Sequence, residues 1–197
     1  MTWWIKARRA HTVLPALFLP FCLLALLWRD TVLDLPSFLA GAVSAPVIAL
    51  LPILLCAALA LCLDSRLPAA EATATRPVAW MDTALAAGTV LAACATALLA
   101  WKLGGADAGL NLGRDTAFLV GLMLLVRSLA GSRAVLAPVA WGFVVLFLGR
   151  GPGGHVYFWT VLLRPSTDPV AATAALLAFA GGLAALLIRP ATESDPD

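Results

Sequence analysis

The chain has 197 residues, of which 62% are hydrophobic and 12% charged, with a mean hydropathy of +0.96 and a formal net charge of +2. An ordinary soluble domain is about 45–50% apolar and about 25% charged. This chain has too few charges to cover a water-facing surface and too many apolar residues for one soluble core. The composition argues against a soluble enzyme, a disordered chain and a nucleic-acid binder, and for a bilayer protein. The four cysteines, Cys22, Cys56, Cys62 and Cys94, lie in apolar runs with no CxxC and no neighbouring histidine. They read as small buried apolar side chains.

The chain opens on residues 1–11, which include Trp-Trp-Ile-Lys-Ala-Arg-Arg. This stretch is basic and amphipathic, suited to an interfacial helix on the cytoplasmic surface. Charges then mark out six apolar runs of roughly bilayer length, for which about 17–25 helical residues are needed. They cover 12–28, 38–63, 83–101, 116–130, 134–148 and 170–188. The first ends on Trp28-Arg29-Asp30, unlike a small-residue cleavage site, so it reads as a permanent span. The second contains Pro46 and Pro52. Each proline removes a helix hydrogen bond, which predicts one long kinked helix with these prolines as hinges. The fourth and fifth runs are short and separated only by Gly131, Ser132 and Arg133. A tight helical hairpin accounts for them if its first arm starts before Asp115 or tilts little.

Six other residues mark span ends: Trp3, Trp4, Trp28, Trp80, Trp101 and Trp159 lie at or near them, where indoles settle. Trp141 falls well inside a span. Ala84, Ala86, Ala87, Gly88, Ala92 and Ala93 in the third run, and Gly181 and Gly182 in the sixth, offer small faces for close packing, internal or between two copies. Arg127 and Asp115 read as end residues, with Arg127 able to snorkel to the interface.

Orientation follows the basic residues. One side holds Lys6, Arg8, Arg9, Arg66, Arg76, Arg127, Arg133 and Arg189; the other holds Arg29, Lys102, Arg114, Arg150 and Arg164. The richer side is the cytoplasmic one, which puts both termini in the cytoplasm. The predicted fold is an all-α polytopic membrane protein. An interfacial helix (1–11) leads into a single six-helix transmembrane domain (12–189) with a short tail (190–197).

The spans lack HExxH, paired glutamates, an Asp/Glu/His relay and any histidine: His11 and His155 lie outside them. No metal, haem or other cofactor is expected. The informative segments are two loops. Residues 64–82 contain Leu67, Pro68, Ala70, Glu71, Thr73 and Arg76, a short helix ended by Arg76-Pro77. Residues 150–168 begin Gly151-Pro152-Gly153-Gly154 and continue through Tyr157, Phe158 and Trp159 to Arg164-Pro165. Their apolar stretch is too short to cross, and fits either a re-entrant half-helix or an interfacial helix.

This order of parts resembles the membrane subunit of an ABC exporter of the type-two permease class. The stretch Gly113-Arg114-Asp115-Thr116-Ala117-Phe118-Leu119-Val120-Gly121-Leu122, with Leu129-Ala130-Gly131 and Pro138, is similar to small permeases of high-GC actinobacteria, as is Glu71-Ala72 with Arg76-Pro77. The chain is shorter than usual for that class and leaves no room for an extracellular domain. The resemblance implies two such subunits, identical or homologous, around a pathway driven by two cytoplasmic ATPases. ATP and Mg would sit in those partners, since this chain has no GxxxxGK[ST] loop. Leu67, Pro68, Ala70, Glu71, Thr73 and Arg76 would contact the ATPase. Gly153, Gly154, Tyr157, Phe158 and Trp159 would form an outer gate. Two other readings stand beside it. One is a non-transporting accessory, assembly or immunity factor. The other is a membrane enzyme using Arg150, His155 and Arg164 on a lipid headgroup.

Overall fold

A computed structural model describes residues 10–28, 31–37, 41–65, 78–104, 107–151 and 154–188. Their helices are α1 (Ala10–Leu27), α2 (Leu51–Asp64), α3 (Val78–Gly104), α4 (Asp107–Ala130), α5 (Leu136–Leu148) and α6 (Pro169–Ile188). Five helical stretches are long and apolar enough to cross a membrane: Ala10–Leu27, Val47–Asp64, Val78–Leu103, Gly109–Leu148 and Pro169–Ile188. The fourth is folded back on itself. A 3-10 turn, Gly131–Val135, joins α4 to α5, with Gly131 at φ +61°. Trp141 on α5 thereby reaches Phe118 on α4, with ring centroids 5.6 Å apart. α4 starts at Asp107, before Asp115. α5 has 13 residues, about 20 Å of helix against a hydrocarbon core of about 30 Å.

The long kinked helix over 38–63 does not form. Gly41–Pro46 is a strand, β2, paired antiparallel with β1 (Val32–Ser37) from Val32↔Pro46 to Ser37↔Gly41. The Val47 N–H donates to the Thr31 carbonyl at 3.1 Å and closes the base of this ribbon. The prolines explain the break. Pro46 is extended, at φ −68° and ψ 132°, and ends the strand. A 3-10 turn, Val47–Leu50, follows, and Pro52 falls in the first turn of α2. There a missing N–H has no intrahelical partner to lose. Pro46 and Pro52 therefore sit at element boundaries and are not hinges inside one helix. Pro15 and Pro20 do lie inside α1. Apart from this ribbon and an isolated bridge between Arg150 and Val156, the regular structure among the described residues is helical.

The interior is apolar, and much of the outer surface is apolar as well. α2 is central: Leu55, Cys56, Leu59, Ala60, Cys62 and Leu63 are all buried. The outer helices turn large apolar side chains outward, among them Leu19, Leu23 and Leu27 on α1 and Leu176, Leu177 and Ile188 on α6. Such a continuous exposed apolar surface belongs against lipid. Trp80 and Trp101 are exposed near opposite ends of α3, roughly 32 Å apart at 1.5 Å per residue, close to the hydrocarbon thickness. Trp28 is exposed at the end of α1.

Small residues set the helix spacing. On α3, Ala86, Val90, Ala93, Ala97 and Ala100 form a buried stripe. α4 answers with Gly113 and Gly109: an added Cβ would lie 3.1 Å from the Cys94 sulfur and 3.2 Å from the Trp101 backbone nitrogen. α4 and α6 cross closer still. A Cβ at Gly121 would overlap the Ala178 and Phe179 backbone, and one at Gly182 would lie 2.7 Å from the Gly121 carbonyl oxygen. Without a hydrophobic drive inside lipid, this close contact is what holds the helices together. The small face expected on α3 divides in two. Ala86 and Ala93 pack inward, whereas Ala84 and Gly88 stay exposed, and a Cβ at Gly88 would meet nothing within 4 Å.

These contacts predict opposite outcomes for one substitution at two glycines. Gly121→Ala overpacks the α4–α6 crossing and costs about 1–3 kcal/mol. Gly88→Ala is neutral or slightly stabilising, by up to about 1 kcal/mol. Thermal unfolding of the two variants in detergent distinguishes them; equal midpoints would overturn the crossing argument.

Candidate functional site

The connection between α5 and α6 holds the densest polar and aromatic arrangement of the described chain. Neither a half-helix nor an interfacial α-helix forms there among the described residues. Arg150 instead bridges Val156 antiparallel. The Gly151 N–H donates to the His155 carbonyl at 3.0 Å, and the Tyr157 N–H to the Gly149 carbonyl at 3.2 Å. Gly154 turns the chain at φ +80°, a conformation that favours glycine. Thr160 is buried, and its hydroxyl and N–H both donate to the Tyr157 carbonyl, at 2.7 and 3.2 Å. A 3-10 turn, Val161–Leu163, then tucks Val161 and Leu162 into the core. The local glycines and Pro165 cut the apolar stretch too short for a stable helix.

Arg114, on the second turn of α4, staples this segment to the bundle. Its guanidinium donates to the carbonyls of Val161, Arg164 and Pro165 at 2.8, 2.9 and 2.8 Å. The same group holds Asp115 Oδ1 at 3.0 and 3.1 Å. Asp115 is buried, at 1% side-chain exposure, and Arg114 is largely covered, at 9%. A buried ion pair persists only where its remaining hydrogen-bonding capacity is also used. The three loop carbonyls meet that need for Arg114.

Past the staple, the guanidinium of Arg164 pairs with Asp168. Asp168 caps α6 by accepting from the Val170 and Ala171 N–H groups at 2.8 and 3.4 Å, with Pro169 as the first helical residue. Desolvation pushes the Asp168 carboxyl up. The Val170 N–H, the Arg164 guanidinium and the Ala171 N–H outweigh it and hold the group below the usual carboxylate range.

Aromatic rings run from the loop into the bundle. His155 meets Tyr157 edge-on at 5.1 Å; Tyr157 stacks on Trp159 at 6.1 Å; Trp159 meets Trp141 edge-on at 6.0 Å; Trp141 lies against Phe118. The indole N–H of Trp141 is buried and meets no acceptor among the described residues. Of the expected gate residues, Tyr157 and Trp159 belong to this column and Gly154 forms its turn. Phe158 is 75% exposed and points away. Gly153 lies outside the described residues.

Leu67, Pro68, Ala70, Glu71, Thr73 and Arg76 also lie outside them. Their attachment point does not. Arg127 is buried, pairs with Asp64, the last residue of α2, and donates to the Leu63 carbonyl at 3.1 Å. It closes the C-terminal end of α2 where the chain enters that loop, and does not snorkel. For the lipid-enzyme reading, Arg164 is engaged by Asp168 and His155 packs on Tyr157. No group of three metal-binding side chains occurs among the described residues.

Sequence reasoning missed Arg114 and Phe118 as parts of the site and left Asp115 as an end residue. The adjacent opposite charges Arg114-Asp115 at a span's edge were the available signal, since charge at depth needs partners. The lone internal indole of Trp141 was the other.

Arg114→Gln frees the loop and strands a buried carboxylate. Expected is a loss of about 3–5 kcal/mol and faster proteolysis within 149–168; the Arg114→Gln/Asp115→Asn double variant recovers part of the stability. For Asp168 the folded pKa is depressed. Its contribution is complete above the unfolded aspartate value, about 3.9, and is lost as pH falls through the lower folded value. Asp168→Asn keeps a capping side chain but flattens this acid loss, read as thermal midpoint against pH.

Compared with known proteins, the chain matches no family model, no curated protein and no solved structure.

Proposed function

We propose that this chain is the permease subunit of an ATP-driven ABC exporter in the cell membrane, with six crossings and both termini cytoplasmic. Two copies, or one copy and a homologue, form the pathway. A separate cytoplasmic ATPase holds ATP and Mg and drives it through the loop after α2. The observation that supports this reading is the construction of α4. It carries an arginine with inward partners toward each end, Arg114 largely covered and Arg127 buried, roughly 20 Å apart along the helix. Arg127 grips the end of α2, where the loop to the ATPase begins. Arg114 grips the α5–α6 segment at Val161 and Arg164, and Phe118, one turn further along α4, ends the aromatic column. A displacement of the loop on one face thus has a rigid element through which to reach the other. Gating lies in Tyr157, Trp159 and Trp141, and Glu71 and Arg76 make the ATPase contact.

Purification in gentle detergent from the native host is expected to bring down an ATP-binding subunit, and Glu71→Ala or Arg76→Ala to weaken that complex. Arg127→Gln is expected to leave ATPase binding intact while reducing transport. Recovery of the chain alone, with no ATPase gene beside its own, would sink the proposal. Full function after scrambling residues 66–76 would instead favour the accessory or immunity reading.

A further inference from the structure

Two features of the bundle lie away from the α5–α6 connection. One is an open groove between α1 and α3, about 490 Å³ in volume, with Leu14, Pro15 and Phe18 on one wall and Leu85, Gly88 and Ala92 on the other. The other is polar, and sits where the loop after α2 leaves and rejoins the bundle. It consists of Asp64, Arg127 and Asp82.

Arg127 is 8% exposed. Its two terminal nitrogens are engaged, one by the Asp64 carboxylate and one by the Leu63 carbonyl. Its Nε is buried and meets no acceptor among the described residues. Arg127 therefore has a donor to spare, on a group that does not lose its charge. Asp64 is a loose partner for it. It is the last residue of α2, its side chain is 33% exposed, and the loop begins directly after it. A pull on the loop that drew Asp64 into water would strand a buried guanidinium without a counter-charge.

A second carboxylate stands at the same level. α3 and α4 run antiparallel: Gly109 lies against Ala97, Ala100 and Trp101, and Gly113 against Cys94 and Ala97. Arg127 is about five helical turns beyond Gly109, on the same side of α4. Continued to that point, the pairing sets Arg127 level with residues 80–83 of α3. Asp82 is among them. It is 2% exposed, and extends the buried stripe of Ala86, Val90, Ala93, Ala97 and Ala100 by one turn. Asp64 and Asp82 thus bracket the loop, one closing α2 before it and one near the start of α3 after it.

We propose that Asp82 is the alternate counter-ion of Arg127 and that the three residues form a latch. Arg127 holds Asp64 while the loop is docked, and passes to Asp82 when the loop withdraws Asp64. The buried arginine then keeps a carboxylate in both states, so the end of α2 is released without baring a charge. Asp82 is held inside the bundle by its helix and does not follow the loop. The exchange requires no vacancy on Asp82, since an ionised carboxylate offers about four acceptor positions. The latch follows from the pairing of the helices and does not depend on what the loop binds.

The test uses the full chain, ¹⁵N-labelled in detergent, with the Arg127 Nε–H resonance identified by its loss in Arg127→Gln. Asp64→Asn is expected to move that resonance downfield as Asp82 takes up the donor. Asp82→Asn leaves it near its wild-type position, and Asp64→Asn/Asp82→Asn abolishes the shift. Thermal midpoints give an independent reading. The double variant loses more than the sum of the two single losses, and on an Arg127→Gln background that excess disappears. A resonance unmoved in Asp64→Asn would overturn the proposal, and this single variant suffices if the double variant does not fold. So would additive midpoint losses, which would leave Asp82 with no tie to Arg127, or an excess that survives Arg127→Gln.

Discussion

A charge inside hydrocarbon persists only where partners surround it, and α4 carries three: Arg114, Asp115 and Arg127. Their pairing ties distant parts of the chain together. Arg114 can satisfy its fork only by drawing in the carbonyls of Val161, Arg164 and Pro165, some fifty residues away. That requirement folds the α5–α6 connection onto the bundle. Arg127 closes on Asp64 and the Leu63 carbonyl through its two terminal nitrogens, which fixes the end of α2 against α4, while its Nε meets no acceptor among the described residues. Between these two anchors, Gly109, Gly113 and Gly121 let α3 and α6 approach the α4 backbone. α4 is therefore the element against which the others are registered.

The aromatic column is the softer counterpart of the Arg114 staple. Its rings are offset or edge-on, the arrangements that aromatic quadrupoles favour, and Tyr157 and Trp159 are only half-buried. Such contacts rearrange more readily than a buried ion pair with three carbonyl ligands. The segment between α5 and α6 is thus held at 161–165 by Arg114, and at 155–159 by ring contacts together with the Arg150–Val156 bridge and the backbone bonds from Gly151 to His155 and from Tyr157 to Gly149. The groove between α1 and α3 is different in kind. Its lining is apolar apart from the Thr89 hydroxyl, which donates to the Leu85 carbonyl.

The places where residue-by-residue reading went wrong share a cause. Pro46 and Pro52 were visible as helix interruptions, but whether a proline kinks a helix or bounds it depends on what the preceding residues pair with. Residues 41–46 pair with 32–37, a nonlocal choice that composition does not encode. The apolar stretch after Gly154 resembled a short helix by content, yet its backbone was claimed by Arg114, Gly149 and the Arg150–Val156 bridge. Ala84 and Ala86 sit in one small-residue run, and only the position of α1 separates the groove wall from the packed stripe.

Local chemistry was enough to set the apolar, membrane-compatible character, the ends of α1 and α6 and the turn at Gly131. Each follows from hydropathy, backbone freedom or a side chain acting on its nearest neighbours. Tertiary structure alone decided which charges meet, which glycines touch a neighbouring backbone, where the aromatic column runs and where two helices part to leave a groove. Those outcomes depend on residues far apart in the chain being brought within a few ångströms, and on each buried polar group finding its partner there.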